Sequence, residues 1–294
     1  MSTKAGFVAV VGRPNAGKST LLNALLKERV AMVSHKANAT RKRMNMIVMH
    51  GETQIVFVDT PGLHEREKEL NQFMLAEALK AIGDCDLVVF LADARDPLEH
   101  YEHFLKKNGA NRPHVLAISK TDMVTQEKLL KKLEQYNRFQ DQFLDLVPLS
   151  ATKNRNLDTL LDVIAKHLPE SPFLYDPELL TTETIRDIYK ELIREALFNG
   201  ISDEIPYESD VLIEKIEEGT DLDRVQATII VDKPTQKGIV IGKGGSALKR
   251  IGKSAREAME QFSGKRIYLQ LHVKQHRNWS QNKGMMEDLG YEVD

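Results

Sequence analysis

Residues 7 to 19 read Phe7-Val8-Ala9-Val10-Val11-Gly12-Arg13-Pro14-Asn15-Ala16-Gly17-Lys18-Ser19, and this stretch decides the fold of the chain. Its second part matches the phosphate-binding pattern G-x-x-x-x-G-K-[ST] at every fixed position. The apolar run before the loop predicts a buried parallel strand, and the leucine spacing after it predicts an amphipathic helix. Glycines let the backbone wrap a phosphate, the helix N-terminus attracts the anion, Lys18 adds a charge, and the Ser19 hydroxyl can bind Mg²⁺. The stretch therefore predicts a nucleoside triphosphate site.

Composition indicates two ordinary domains and a strong separation of charge. The chain has 294 residues and a net charge of −2, and the single cysteine, Cys85, suits the reducing cytoplasm. No stretch reaches the length of a transmembrane helix, and the N-terminus lacks the pattern of a secretory signal. Residues 176–223 carry 15 acidic and 4 basic side chains (net −11), whereas residues 224–283 carry 3 acidic and 13 basic ones (net +10). The C-terminal part is therefore expected to bind a polyanion.

The order of apolar and helical patterns divides the chain into two domains. Residues 1–168 alternate the two patterns, which predicts an α/β domain with a mostly parallel, doubly wound sheet. The short turn at Gly51 predicts one antiparallel edge strand. Residues 169–182 contain three prolines and are predicted to form a linker. Residues 183–294 then follow the order helix–strand–strand–helix–helix–strand of an α+β domain. The predicted strands are 7–11, 43–49, 54–58, 87–92, 114–119, 145–149, 207–216, 224–231 and 266–273; the predicted helices include 70–82, 126–139, 183–198, 238–241 and 246–262.

Three further motifs follow in the order expected of a GTPase. Asp59-Thr60-Pro61-Gly62 comes directly after an apolar strand, where Asp59 can hold a Mg²⁺ water and the Gly62 N–H can approach a γ-phosphate. In Ser119-Lys120-Thr121-Asp122, the Asp122 carboxylate can accept two N–H groups of guanine, and the Lys120 stem can cover the ring. Serine stands where Asn is usual, so we expect a weaker brace between this loop and the phosphate loop. Ser150-Ala151-Thr152 ends the last strand and is predicted to offer a backbone N–H to guanine.

Three single residues bear on hydrolysis. Thr40 lies between the first helix and the second strand and is the candidate switch threonine that binds Mg²⁺. Leu63 follows Gly62 where many small GTPases have a water-orienting Gln, and leucine cannot orient water by hydrogen bonding. Asn15 has two interpretations that stay open: it helps hold an activating K⁺ near the phosphates, or it only braces the loop.

A second glycine-rich loop lies inside the basic segment. Ile239-Val240-Ile241-Gly242-Lys243-Gly244-Gly245 fits the [IV]-I-G-x-x-G pattern of KH domains, whose small residues let a nucleic-acid backbone come close. The surrounding order of helices and strands is that of a type II KH fold. We therefore predict RNA binding here; a dinucleotide-binding interpretation fails because no acidic partner follows in a βαβ unit.

Together the two glycine loops, the sequence Asp59-Thr60-Pro61-Gly62-Leu63-His64 and the tail residues Trp279, Leu289, Gly290 and Tyr291 resemble the Era family of bacterial GTPases. The chain departs from that family at Ser119 and at Ala39, which precedes Thr40. The resemblance implies a monomeric protein that binds GTP and GDP with Mg²⁺ and hydrolyses GTP slowly. It also implies binding to the 3′ end of small-subunit ribosomal RNA during assembly of the small ribosomal subunit. The implied location is the cytoplasm, with part of the protein peripheral on the inner membrane.

These arguments define four sets of candidate residues. The catalytic set is Lys18, Thr40, Asp59 and Gly62, and the metal set is Ser19, Thr40 and Asp59. The GTP-binding set is Gly12, Arg13, Pro14, Asn15, Ala16, Gly17, Lys18, Ser19, Thr20, Asp59, Thr60, Pro61, Gly62, Leu63, Ser119, Lys120, Thr121, Asp122, Ser150, Ala151 and Thr152. The RNA-binding set is Ile241, Gly242, Lys243, Gly244, Gly245, Lys249 and Arg250.

Two functions of other classes remain open from the residues. A GTPase that regulates a protein partner would need no basic KH face, and a pure RNA-binding module would show no turnover of GTP. RNA crosslinking with and without GTP, beside phosphate release, separates the three.

Overall fold

The computed structural model describes residues 2–28, 41, 44–60, 83–107, 112–201 and 205–291. These residues form two compact units, and the boundary along the chain lies between Thr182 and Glu183. Among the helices of these residues, none is long and apolar enough to cross a membrane. A peripheral membrane association stays a prediction.

A six-stranded mixed sheet forms the centre of the first unit. Its order is β2-β3-β1-β4-β5-β6, and all neighbours run parallel except β2 and β3. The predicted doubly wound domain with an antiparallel edge strand is thus confirmed. Every residue of β3, β4 and β5 is buried, as expected for strands covered on both faces. The strands are β1 (Lys4–Val11), β2 (Met44–His50), β3 (Thr53–Asp59), β4 (Leu87–Asp93), β5 (His114–Ser119) and β6 (Asp145–Pro148).

Helices and an aromatic cluster pack on this sheet. The helices described are α1 (Lys18–Leu26), α2 (Glu99–Lys107), α3 (Gln126–Asn137) and α4 (Leu157–His167). Buried rings of Phe90, Tyr101, Phe104 and Tyr136 join β4 to α2 and α3, with the Phe90 and Phe104 centroids 4.6 Å apart. The predicted helix over residues 70–82 lies outside the described residues. The loops at the carboxyl ends of β4 and β5 therefore extend from a well-packed core.

Residues 169–182, predicted as a linker, are fastened to the first unit. The buried Gln54 side chain donates to the Tyr175 carbonyl (2.8 Å) and accepts the Leu174 N–H (2.8 Å). Further along, the Ile47 N–H donates to the Leu180 carbonyl (2.8 Å), which pairs the segment with the open side of β2. The segment thus lies against the sheet.

The second unit has the element order that the sequence predicted for a KH domain. Its three-stranded sheet has the order β7-β8-β9, in which β8 and β9 are parallel. The glycine loop lies between α6 and α7, and Gly200 at the end of α5 lets α7 pack closely, because an added Cβ would stand 2.9 Å from Ile251 Cγ1. The elements are α5 (Ile185–Gly200), β7 (Ser209–Glu217), β8 (Leu222–Val231), α6 (Pro234–Ile241), α7 (Ser246–Ser263), β9 (Arg266–Gln275) and α8 (Lys283–Asp288).

The C-terminal tail is part of the second unit's core. Trp279 and Tyr291 are 1% and 4% exposed. The Tyr291 hydroxyl donates to Asp210 Oδ2 (2.5 Å), and Arg194 Nε lies 3.2 Å from the other oxygen of this fully buried carboxylate. Lys190 Nζ also lies 3.4 Å from Asp210 Oδ2. Neither this charged cluster nor α8 was predicted from the sequence.

Candidate functional site

The phosphate loop joins β1 to α1 and depends on two glycines. A Cβ on Gly12 would lie 2.4 Å from the Leu91 carbonyl oxygen, so only glycine fits against β4. Gly17 has φ of 101° at the start of α1, and Asn15 has φ of 64°. These left-handed conformations turn the chain so that the loop curls over the first turn of the helix. The predicted residues Arg13, Pro14, Ala16 and Thr20 lie on this loop or in the first turn of α1.

Lys18 points back into the loop that it follows. Its Nζ lies 3.3 Å from the carbonyl oxygens of Gly12 and Arg13, and the side chain is buried. Burial lowers the pKa of Lys18 to about 8, and the neighbouring Asp59 carboxylate opposes that shift. A phosphate bound in the loop would place a negative charge beside the Lys18 ammonium and favour its charged form. The geometry is that of a preformed anion site.

Ser19 and Asp59 bring two hard oxygen atoms together beside the loop. Ser19 Oγ donates to Asp59 Oδ2 at 3.0 Å, from the first turn of α1 to the end of β3. The Thr60 hydroxyl donates to the Val10 carbonyl (2.7 Å) and fixes the residue after Asp59. Hydroxyl and carboxylate oxygens are ligands that Mg²⁺ prefers. The described part of the predicted metal set therefore converges; Thr40, Pro61, Gly62 and Leu63 lie outside the described residues.

Ser119 does brace the phosphate loop. Its Oγ lies 2.7 Å from the Ala16 carbonyl in the loop and 3.2 Å from the Ala92 carbonyl on β4. The brace between this loop and the phosphate loop is therefore present, and its lower strength relative to that of an asparagine stays a prediction. One hydroxyl proton makes the contact, whereas an asparagine amide could donate two.

Asp122 and Ser150 meet across the ends of β5 and β6. Ser150 Oγ donates to Asp122 Oδ1 at 2.5 Å, and Thr121 Oγ1 donates to the Leu149 carbonyl at 3.0 Å. The Ser150 hydrogen bond is the largest cause that lowers the pKa of the half-buried Asp122. An ionised carboxylate can only accept hydrogen bonds. The structure thus brings Ser150, Ala151 and Thr152 beside an acceptor suited to a base edge with two N–H groups.

Sequence reasoning missed the turn that follows β4. Asp93 is fully buried and accepts hydrogen bonds from Arg95 Nε (2.8 Å) and Nη2 (2.6 Å), while Lys120 Nζ lies 3.1 Å away. Asp96, in the same turn, forms an ion pair with Arg13 of the phosphate loop. The available signal was a carboxylate at the carboxyl end of a parallel strand, which is where α/β folds place their sites.

The second glycine loop presents an open backbone. At Gly242, φ is 73° and an added Cβ would lie 2.8 Å from Ala247 N, so this glycine is required by packing. Gly244 and Gly245 are also left-handed, but among the described residues no atom outside the adjoining chain lies within 4 Å of an added Cβ at either position. Lys243 and Lys249 are exposed. Small residues and exposed cations therefore line one surface at the start of α7.

Two predicted RNA-binding residues have additional structural roles. Arg250 is exposed and its Nη2 donates to the Gly200 carbonyl (2.6 Å), which caps the end of α5. Ile241 ends α6 and is partly buried. Their predicted contribution to RNA binding remains a prediction.

Two family profiles match the chain. Residues 7–120 match a family described as "50S ribosome-binding GTPase", and residues 204–280 match a family described as "KH domain". The two matches correspond to the two units of the fold.

Curated relatives match along the whole chain. GTPase Era of Helicobacter pylori (strain G27) is 54% identical, and the alignment covers 99% of this chain and 98% of the relative. GTPase Era of Campylobacter lari (strain RM2100) is 45% identical, with coverage of 98% and 99%.

Two solved structures of Era superpose closely on this one. A variant of Aquifex aeolicus Era bound to GDP and AlF₄⁻ is 34% identical, has a TM-score of 0.94, and covers 99% of this chain and 100% of its own. An Era complex with MgGDPNP and nucleotides 1506–1542 of 16S ribosomal RNA has the same TM-score, identity and coverage.

Proposed function

The chain belongs to the Era family of GTPases, and from that membership we propose that it binds and hydrolyses GTP and binds the 3′ end of small-subunit ribosomal RNA through its KH domain. The binding of RNA would serve assembly of the small ribosomal subunit. One observation carries the proposal: a complete phosphate loop with a guanine-type acceptor and an open KH glycine loop occur in one folded chain. The Era complex with MgGDPNP and a 16S ribosomal RNA fragment supports it.

Mg²⁺ fits the residues at the phosphate loop. Ser19 and Asp59 supply adjacent oxygen atoms, and Thr40 is the third proposed ligand, from sequence alone. Mg²⁺ in nucleotide sites is typically bound by one or two carboxylates and completes its shell with phosphate oxygens and water. When bound, the ion would neutralise charge on the phosphates.

The protein's own residues bind, orient and charge-stabilise the nucleotide. Lys18 supplies a buried positive charge at the phosphates, where a low-polarity surrounding makes it effective. Asp122 selects guanine by accepting two N–H groups, which adenine cannot offer. Hydrolysis is slow in this proposal, because Leu63 cannot orient the attacking water.

K⁺ as an activating cation is the more specific part of the proposal. Asn15 is left-handed and its backbone carbonyl accepts a hydrogen bond from Lys120 Nζ (2.5 Å), a contact that does not involve the Asn15 side chain. If Asn15 also helps to hold K⁺, phosphate release should slow when Na⁺ replaces K⁺, and Asn15→Ala should remove the difference. Equal rates in both salts would leave bracing as the role of Asn15.

RNA binding can be tested with a matched pair of glycine variants. Gly244 (φ 59°) and Gly51 (φ 56°) share a left-handed conformation, and in the part of the chain that the structure describes an added Cβ would meet no atom within 4 Å beyond the adjoining residues. Gly244→Asp should abolish binding of a 16S ribosomal RNA 3′ fragment, because a carboxylate then stands where the RNA backbone must pass. Gly51→Asp makes the same chemical change in the β2–β3 turn and should leave binding intact.

The result also separates the alternative functions. Both variants should hydrolyse GTP at the parental rate in the absence of RNA. RNA binding by Gly244→Asp at parental affinity would refute the KH interpretation and favour a GTPase that acts on a protein partner. RNA binding without phosphate release by the parent protein would favour a pure RNA-binding module.

A further inference from the structure

A buried carboxylate at the end of β4 is shared by two cations. Asp93 is 0% exposed, and its two oxygens face the Arg95 guanidinium and the Lys120 ammonium. Arg95 makes two hydrogen bonds of 2.8 and 2.6 Å, which satisfies the usual fork geometry of arginine with a carboxylate. Lys120 lies at 3.1 Å and belongs to the base-reading loop on the next strand. The cluster therefore joins two neighbouring strand ends.

The Lys120 ammonium contacts two acceptors of the protein. Its Nζ reaches Asp93 Oδ2 on one side and the Asn15 carbonyl of the phosphate loop on the other (2.5 Å). The stem passes over Gly17, since an added Cβ there would lie 3.6 Å from Lys120 Cε. These two contacts hold the ammonium end in place, so the methylene stem is the part of Lys120 that we expect to contact a ligand.

The turn after β4 is connected to both nucleotide loops. The Ala94 N–H donates to the Ser119 carbonyl (2.9 Å), and the Asp96 N–H donates to the Asp93 carbonyl (2.8 Å). Asp96 in turn holds Arg13 of the phosphate loop through an ion pair. The turn therefore provides a rigid support from which Asp93 can hold Lys120.

We propose that Asp93 is a positioning residue for the nucleotide: it anchors the Lys120 ammonium, so that the Lys120 stem lies where it covers the guanine ring. This inference rests on the proposed GTP-binding function. Contact with a ring face does not distinguish one purine from another, whereas Asp122 reads the groups on the ring's edge. Asp93 should therefore control affinity for purine nucleotides without changing the preference among them.

The test is titration of the full-length protein with GDP and with IDP, whose base lacks the 2-amino group. Asp93→Asn keeps the size of the side chain but removes its charge, and we expect both affinities to fall about tenfold with their ratio unchanged. The KM for GTP should rise by a similar factor while kcat stays within about twofold of the parent, the pattern of lost uniform binding. Glu127→Gln removes an exposed carboxylate that also pairs with a lysine and should change nothing.

A second variant tests the route through Lys120. Lys120→Met keeps an unbranched stem but removes the ammonium, so it should weaken GDP binding about as much as Asp93→Asn does. Adding Asp93→Asn to Lys120→Met should cause little further loss, because the anchor then has nothing to hold.

Several results would overturn the inference. One is parental GDP affinity in Lys120→Met, a result that stays informative even if Asp93→Asn does not fold. The others are additive losses of affinity in the double variant and a changed ratio of GDP to IDP affinity in Asp93→Asn. A parent protein that binds no guanine nucleotide would instead refute the proposed function itself.

Discussion

Nucleotide affinity should weaken as Lys18 loses its proton, and the pKa of this residue sets the pH range. Burial among the loop carbonyls lowers the pKa of Lys18 to about 8 in the ligand-free protein. A bound diphosphate would restore the charged form, so binding takes up a proton wherever free Lys18 is neutral. With a pKa of about 8, the protonated fraction falls from about three quarters at pH 7.5 to about one quarter at pH 8.5, a roughly threefold loss of affinity.

The assay is calorimetric titration with GDP in two buffers of different ionisation enthalpy. At pH 8.5 the heats should report uptake of about 0.8 proton per nucleotide, and at pH 7.5 of about 0.2. Lys131→Met, at an exposed lysine in the middle of α3, should reproduce both values. No proton uptake at pH 8.5, or affinity that rises between the two pH values, would show that Lys18 is not a buried, partly neutral lysine.

The same shift has the opposite consequence for folding of the ligand-free protein. The unfolded chain keeps the Lys18 proton up to about pH 10.5, whereas the folded protein releases it near pH 8. Between these two pH values the unfolded state binds more protons than the folded state. The free energy of unfolding should therefore increase as pH rises through this range. Burial of Lys18 thus reduces stability below pH 8, which is the range in which its charged form is proposed to bind phosphate.

Three further outcomes are expected. Gly12→Ala should abolish GDP binding and lower the melting temperature, because its Cβ would stand 2.4 Å from the Leu91 carbonyl oxygen; parental binding would contradict the loop geometry. Asp122→Asn should weaken GDP about a hundredfold and favour xanthosine diphosphate, measured by competition; an unchanged preference would remove Asp122 from base recognition. Tyr291→Phe should lower the free energy of unfolding in urea by about 1–3 kcal/mol, because it removes a hydrogen bond to the buried Asp210; an unchanged midpoint would exclude that contribution.

Features with a strict local pattern could be predicted from the sequence. The phosphate loop is such a case, because a side chain at Gly12 would clash with β4 and a side chain at Gly17 would strain its left-handed backbone. The short turn at Gly51 likewise predicts a hairpin, and the structure shows β2 and β3 antiparallel. The order of elements around Gly242 could be predicted for the same reason, because apolar periodicity and the positions of glycines are properties of the local sequence.

Features that depend on contacts between distant segments could not be predicted. Asp93 gives no sign in the sequence that it is buried: Arg95 lies only two positions away, but Lys120, the second cation that makes burial tolerable, follows β5 and reaches Asp93 only in the folded unit. Asp210 and Tyr291 are 81 positions apart, and only the folded unit brings them together. Ser119 departs from the usual Asn, but whether its hydroxyl reaches the Ala16 carbonyl depends on the fold.

The segment that runs along β2 has a consequence for solubility during folding. An uncovered edge strand offers free backbone groups to other chains and is a common starting point for aggregation. Here Leu180 accepts the Ile47 N–H, and Thr181 Oγ1 donates to the Asn45 carbonyl (2.5 Å), so the outer side of β2 is partly covered by the protein's own chain. Truncation at residue 168 would remove that cover together with the Gln54 contacts. A fragment of the first unit should therefore stay monomeric when it extends to Thr182 and self-associate through β2 when it ends before Pro169.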